Sequence, residues 1–177
     1  MKRRTYVASV VGLAATGGCV SAVSSVMAGG DSEESPAAPA DCPSFDADAE
    51  TVCVGEDAAV TFSRSDAAVA DGEQFSVTLS NEDADAVGLN PYAWTVYRRD
   101  SDGWTQVAPD AFVEPWRSLD EGESLSWHVQ VGGEDVPDSE QGVHVGPLDL
   151  ADGEHAFTLL AEVDGDRTEF VAPFAVE

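Results

Sequence analysis

The chain has 177 residues, about one domain on the usual scale of roughly 150 residues each, with 34 acidic against 8 basic residues and a formal charge of −26. That balance argues against nucleic acid as a partner, because phosphate binding needs clustered Lys and Arg. An acidic disordered chain would share the charge, but 43% of the residues are hydrophobic and Trp, Phe, Val and Leu recur with a clear period.

The basic residues are unevenly spread. Lys2, Arg3 and Arg4 stand together, no acid precedes Asp31, and Lys2 is the only lysine. An apolar stretch runs from Val7 to Thr16, shorter than the roughly 20 residues of a membrane span. Arg3-Arg4-Thr5-Tyr6-Val7 resembles a twin-arginine export signal, and Thr16-Gly17-Gly18-Cys19 resembles a lipobox. Together, residues 1–18 are similar to the leader of a haloarchaeal twin-arginine lipoprotein. The resemblance implies cleavage before Cys19, a lipid on its sulfur, and anchoring to the outer face of the cell membrane. An uncleaved anchor through Val26 is the rival reading, which Gly17, Gly18, Ser21, Ser24 and Ser25 oppose by diluting the apolar run. Without residues 1–18 the charge falls from −26 to −29. Many carboxylates and almost no lysine are what proteins of extreme halophiles look like, their acids holding hydrated cations in strong salt.

Residues 19–41, rich in Ser, Ala, Gly and Pro, have the composition of a flexible acidic tether. Residues 42–56 carry Cys42 and Cys53, which can pair once Cys19 holds a lipid. An exported chain is where disulfides persist, and closing this loop stabilises by about 3 kcal/mol in the chain-entropy model. A metal site is the competing reading; no His lies near in sequence and the spacing is not of the Cys-x-x-Cys type.

From residue 57 to 177 the dominant period is two. Val60 and Phe62 alternate with polar residues, as do Phe75, Val77 and Leu79; Trp94 and Val96; Leu125, Trp127, Val129 and Val131; Phe157, Leu159, Ala161 and Val163; and Phe170, Ala172, Phe174 and Val176. Each set puts its apolar members on one face of a strand. Asp71-Gly72, Asp102-Gly103, Glu121-Gly122, Asp152-Gly153 and Asp164-Gly165 supply turns. Short strands with one apolar face need a second sheet, which predicts an all-β antiparallel sandwich of about seven to eight strands. Leu125, Trp127, Val129, Phe157 and Leu159 should form its core, with Ser126 and His128 outward.

Phe75-Ser76-Val77-Thr78-Leu79-Ser80-Asn81, then Pro91-Tyr92 through Tyr97-Arg98-Arg99 and Asp102-Gly103-Trp104, resemble the second strand and central hairpin of bacterial immunoglobulin-like domains. Leu119-Asp120-Glu121-Gly122-Glu123 and Leu150-Ala151-Asp152-Gly153-Glu154-His155 are similar to that family's leucine-turn-glycine strand starts. The resemblance implies an extracellular binding or spacer module without catalytic residues. His155 stands where the family often has Tyr, so no tyrosine corner carries over.

Chemistry-bearing constellations are sparse. The three histidines, His128, His144 and His155, read as solvated or locally bonded, with His144 near a loop. A blue-copper centre needs Cys near the C-terminal end, and no Cys follows Cys53. Asp100 with Asp102, and Asp46 with Asp48 and Glu50, offer too few oxygens for calcium and read as turns or solvated surface. Paired carboxylates for glycoside hydrolysis carry no information at this acid density, and neither Gly-x-Ser-x-Gly nor His-Glu-x-x-His occurs. No cofactor or metal is therefore expected. Trp94 and Trp127 read as core, whereas Trp104 and Trp116 flank the central loop and are candidate ligand contacts, an aromatic platform for sugar or protein, with core or edge packing as the competing role. The expected function is a non-catalytic cell-surface lipoprotein that contacts an extracellular protein or glycan. A small-ligand or cation-binding protein using loop carboxylates or exposed tryptophans is the second reading, and a hydrolase the third.

Overall fold

The computed structural model describes residues 42–109, 115–133 and 142–177. The expected signal peptide at 1–18 and tether at 19–41, with Arg3, Arg4 and Cys19, lie outside the described residues.

The described residues form eleven strands: β1 (Glu50–Cys53), β2 (Val60–Arg64), β3 (Ala68–Val69), β4 (Gln74–Asn81), β5 (Val87–Asp100), β6 (Gly103–Ala108), β7 (Arg117–Leu119), β8 (Ser124–Val131), β9 (Val143–Leu148), β10 (Gly153–Val163) and β11 (Asp166–Val176). One sheet has the order β1-β11-β10-β5-β6, with β3 also beside β11 and β7 also beside β5; the other is β2-β4-β8-β9. Two short strands share each edge of the larger sheet. β1 pairs with Thr168–Val171 of β11 and β3 with Ala175–Val176, while β6 pairs with the Val96–Asp100 end of β5 and β7 with its Val87–Leu89 end.

The β-sandwich expected from the alternation is the observed fold. Trp127 of β8 packs on Phe157 of β10, Phe75 of β4 on Phe174 of β11, and Phe62 of β2 on Phe170, closing the two sheets over one apolar interior. Leu125, Trp127, Val129, Phe157 and Leu159 are all buried. Trp94 is only partly buried, stacked on Phe157.

The strand count exceeds seven to eight because two- to four-residue strands such as β1, β3 and β7 are too short to show alternation. The sheets are also mixed: β1 and β3 run parallel to β11, and β9 runs parallel to β8. His144 is the second residue of β9, close to the start of that strand; Gly146 and Pro147 weaken the strand signal there, and β9 is an edge strand, where proline is tolerated.

A bulge in β5 serves the core directly. Trp94 pairs with Leu159 and Leu89 with Ala161, so residues 90–93 face the single residue Leu160. Pro91, which has no N–H to give a ladder, sits in this bulge, and its carbonyl accepts the buried Trp127 indole N–H at 2.7 Å. The sandwich thereby buries an indole without orphaning its donor.

Candidate functional site

Cys42 and Cys53 are joined by a disulfide, with Cα atoms 6.2 Å apart, inside the usual range for a disulfide. The segment that follows Cys42 crosses the outer face of the larger sheet. Phe45 stacks flat on Tyr97 of β5 with ring centres 3.9 Å apart and meets Trp104 of β6 edge-on at 5.6 Å. The backbone N–H groups of Phe45 and Asp46 donate to the Glu169 carboxylate of β11, at 2.8 and 3.3 Å. Asp46 in turn pairs with Arg167 at 2.7 Å and accepts the Asp48 N–H. Its carboxylate thus closes a turn, as the turn reading of that acidic run expected, and also forms an ion pair that the sequence did not indicate. Burial first, then the Glu169 and Asp46 carboxylates, push the Tyr97 phenol above its ordinary range, so it stays a neutral hydroxyl.

This strap accounts for a feature that alternation could not predict. Glu169 is only 3% exposed, and Thr158 and Val171, also on the outer face, are buried. The middle of β10 and β11 is covered on both sides, by the core beneath and in part by residues 42–49 above. Trp104 is part of this cover. Its ring lies against Phe45 and 5.9 Å from the Arg99 guanidinium, which is held by Glu154 at 2.9 Å.

Trp116 stands elsewhere. It adjoins β7, beside the opposite end of β5, and is 61% exposed. Its ring lies on Gly88, where an added Cβ would come within 2.5 Å of Cζ2. A glycine is thus what allows the indole to lie against the strand. Arg99 opposes Trp104 and Gly88 carries Trp116; because Arg98 pairs with His155 and Gly88 with Glu162 along β10, the two positions lie about 25 Å apart on the sheet. The single platform expected from Trp104 and Trp116 does not form.

Trp116 is one wall of a cleft of about 450 Å³, lined also by Asp85, Gly88, Ser118, Asp120 and Glu162. Among the described residues that line it, none has a basic side chain. Two polar residues frame it. Asn81, buried at the end of β4, donates to the carbonyls of Ala84 and Leu119 at 3.1 and 3.0 Å and accepts the Ala84 N–H at 2.9 Å. Asp164, in the β10–β11 turn, accepts the Ala86 N–H at 2.9 Å through its side chain and donates its own N–H to the Ala86 carbonyl. That turn is a two-residue hairpin with positive φ at both Asp164 (54°) and Gly165 (91°), the geometry that Asp-Gly favours. The turn was legible as Asp164-Gly165; its second task, holding the cleft wall, was not. Gly88 and Glu162 carried no sequence signal, because each matters only through register: they are direct partners between β5 and β10.

The histidines divide. His155 is 1% exposed, packs on Phe174 and shares a hydrogen bond between Nδ1 and the Gly153 carbonyl. Burial, and to a smaller degree Arg98, holds its imidazole below the ordinary range, against the opposing pull of the Gly153 carbonyl and Asp100. It is locally bonded but not solvated. His128 turns outward as expected, half-buried, with Nδ1 3.0 Å from Ser76 Oγ.

No family model and no curated protein matches the chain. Among solved structures it is similar to the Pseudomonas fluorescens alkylpurine DNA glycosylase AlkC, at 18% identity and a TM-score of 0.34, over 70% of this chain and 32% of that one. It is also similar to the Bacillus subtilis sporulation control protein Spo0M, at 14% identity and a TM-score of 0.35, over 67% of this chain and 48% of that one. The chain thus spans about a third and about half of the proteins it aligns with.

Proposed function

We propose that this chain is a non-catalytic, exported binding module, carried on the outer face of the cell membrane by a lipid on Cys19, which engages an extracellular protein or glycan at the Trp116 cleft. One observation carries the binding reading: a large indole, 61% exposed, set against Gly88 in a cleft framed by buried hydrogen bonds. Exposed aromatics in rigid frames give large contact area at small entropic cost. The Ser118 hydroxyl and the Asp85, Asp120 and Glu162 carboxylates can receive or share hydrogen bonds with a sugar or a peptide laid on the ring.

A second reading, a ligand with an organic cation, is favoured by those three carboxylates around one aromatic face with no basic residue among the described lining residues. Capture from intact cells in concentrated potassium chloride tests the first. The wild-type protein should recover a partner that Trp116→Ala does not; equal recovery by both overturns the cleft as the binding site. Tetramethylammonium that quenches the wild type but not Trp116→Phe would favour the second. Mass spectrometry of the membrane fraction tests the anchor: residues 1–18 should be lost and Cys19 should carry a lipid-sized mass. An unmodified Cys19 overturns the anchoring.

A further inference from the structure

The outer faces of the two sheets differ in charge. Outward positions of the larger sheet hold Glu154, Glu162 and Glu169, and residues 42–49 cover part of that face. The outward positions of β2, β4, β8 and β9 hold no Asp, Glu, Lys or Arg. Arg64, at the end of β2, turns inward and donates to the Pro173 carbonyl of β11. The middle of this uncharged face is a lattice of hydroxyls. Thr61, Ser80 and Ser124 are ladder partners in one row across β2, β4 and β8, and Ser63, Thr78 and Ser126 form the next. Neighbours within a row stand about 5 Å apart, and the rows about 7 Å. Thr78 and Ser126 share a hydrogen bond at 2.8 Å. Ser63 and Ser124 are exposed, and the other four are partly exposed. In a chain of net charge −26, a sheet face without a single carboxylate stands apart.

We propose that this face pairs with the same face of a second copy of the chain. A two-fold pair needs a patch that complements itself. Carboxylates only accept hydrogen bonds and repel their own kind, so the acidic surface does not meet that condition, whereas a hydroxyl both donates and accepts. The size is sufficient. Four strands about 4.8 Å apart and up to eight residues long make a face of about 20 by 25 Å, so pairing covers about 1,000 Å² in total, the lower bound for a specific interface. An interface of this size and polarity gives a weak dimer, with a dissociation constant on the order of 10 μM. Its rim is acidic. Glu82, 3.4 Å from Thr61 Oγ1, and Glu123 stand at one end, and Glu73 at the other. These carboxylates oppose pairing in dilute buffer. Salt relieves them, because the Debye length falls from about 10 Å at 0.1 M to about 3 Å at 1 M. Pairing also leaves the rest of the molecule accessible: Cys42 is bridged to Cys53 beside β11, and Trp116 lies on Gly88 of β5, both on the other sheet.

The test is sedimentation of the full chain in concentrated potassium chloride, over a protein series that spans the micromolar range, with circular dichroism to confirm the fold. The molar mass should rise from one chain to two along the series, and the dissociation constant should fall as salt is raised. Thr78→Glu sets a carboxylate against its own copy and should weaken the pair by at least about tenfold. Ser63→Glu, at an exposed position of β2, is the second variant should Thr78→Glu fail to fold. Thr105→Glu, exposed on β6 of the other sheet, adds the same charge and should pair as the wild type does, and so should Trp116→Ala. A wild type that stays monomeric throughout, pairing that survives both Thr78→Glu and Ser63→Glu, or pairing lost equally in Thr105→Glu overturns the proposal. A monomeric wild type that loses capture of its surface partner on Thr78→Glu also overturns it, and gives the face to that partner.

Discussion

Trp104 and Trp116 flank the same edge of the same sheet, yet one end of that edge is closed and the other open. At the closed end Phe45 lies against Trp104 and Tyr97, and Glu169 holds the backbone that carries Phe45. At the open end nothing among the described residues caps the Trp116 ring, which rests on Gly88 with 61% of its surface exposed. Local sequence around the two tryptophans does not explain the contrast. A segment about sixty residues upstream of Trp104 does. An aromatic residue's availability is decided by what the distant chain lays over it, and here a disulfide anchors that cover.

The largest effect should come from the core beneath both ends. Trp127 is fully buried and its indole N–H is bonded to Pro91 in the β5 bulge. Trp127→Ala should cost about 3–5 kcal/mol, measured by chemical denaturation, and should erase the distinction between the ends by loosening both. A cost no larger than that of His128→Ala, on the opposite face of β8, would show that the strand phase is wrong.

Removing the disulfide should act on the closed end alone. Replacing Cys42 and Cys53 with Ser should destabilise by about 3 kcal/mol, the loop-closure value for a bridge of this span. Hydrogen exchange at the Phe45 and Asp46 amides, which donate to Glu169, should accelerate, while the amide of Ala84 at the open end should not change. Uniform acceleration at both ends would mean that the strap is not a separate element.

Asn81→Ala is the matching change at the open end. It leaves two buried carbonyls and one N–H without their partner, and each such loss costs about 1 kcal/mol or more, so a fall of about 2–3 kcal/mol is expected. Loss of binding at the Trp116 cleft with an intact Phe45 strap would sharpen the contrast. Unaltered binding would show that Asn81 does not frame the site.

These elements were unequally legible in the sequence. β4 and β8 each have one solvent-facing side, so Phe75-Val77-Leu79 and Leu125-Trp127-Val129 appear as strict alternation. β10 and β11 are covered on both faces at their centres, and Ala156, Thr158, Val171 and Pro173 blur the period there, although Phe157, Leu159, Phe170 and Phe174 keep it visible. The Cys42–Cys53 pairing followed from counting. That the paired segment crosses a sheet did not, because Phe45 and Glu169 are 124 residues apart and neither carries a local signal. The cleft depends on Gly88 meeting Glu162 and on Asn81 reaching Leu119, relations of register and of long-range hydrogen bonding that periodicity does not encode.

Acid should loosen the closed end before the open one. His155 pairs with Arg98 in the ladder, beneath the end that carries Trp104, and its imidazole is held below the ordinary range chiefly by burial. The unfolded chain therefore takes up its proton at a higher pH than the native one. As pH falls below about 6.5, the unfolded state gains protons that the folded state does not bind, and stability declines until the native imidazole also titrates. In concentrated potassium chloride, where carboxylate repulsion is screened, His155→Phe should flatten this decline relative to wild type. Parallel pH profiles in the two proteins would remove His155 from the account.

The smallest effect on stability should be at Trp116 itself. Its ring has one face on Gly88 and most of its surface in solvent, and exposed positions away from caps, buried bonds or strain usually change stability by no more than about 0.5 kcal/mol. Trp116→Ala should therefore melt with the wild type while losing the capture of the surface partner. Gly88→Val should reach the same functional result by another route, since its side chain displaces the indole from the strand. Trp104→Ala reverses the pattern: it removes a contact of the Phe45 strap and should lower stability while leaving capture intact. Should Trp116→Ala prove as destabilising as Trp104→Ala, the indole would be packing surface and the two ends of β5 would not differ in function. Equal stability with lost capture in the Trp116 and Gly88 variants alone is the outcome that assigns binding to the open end.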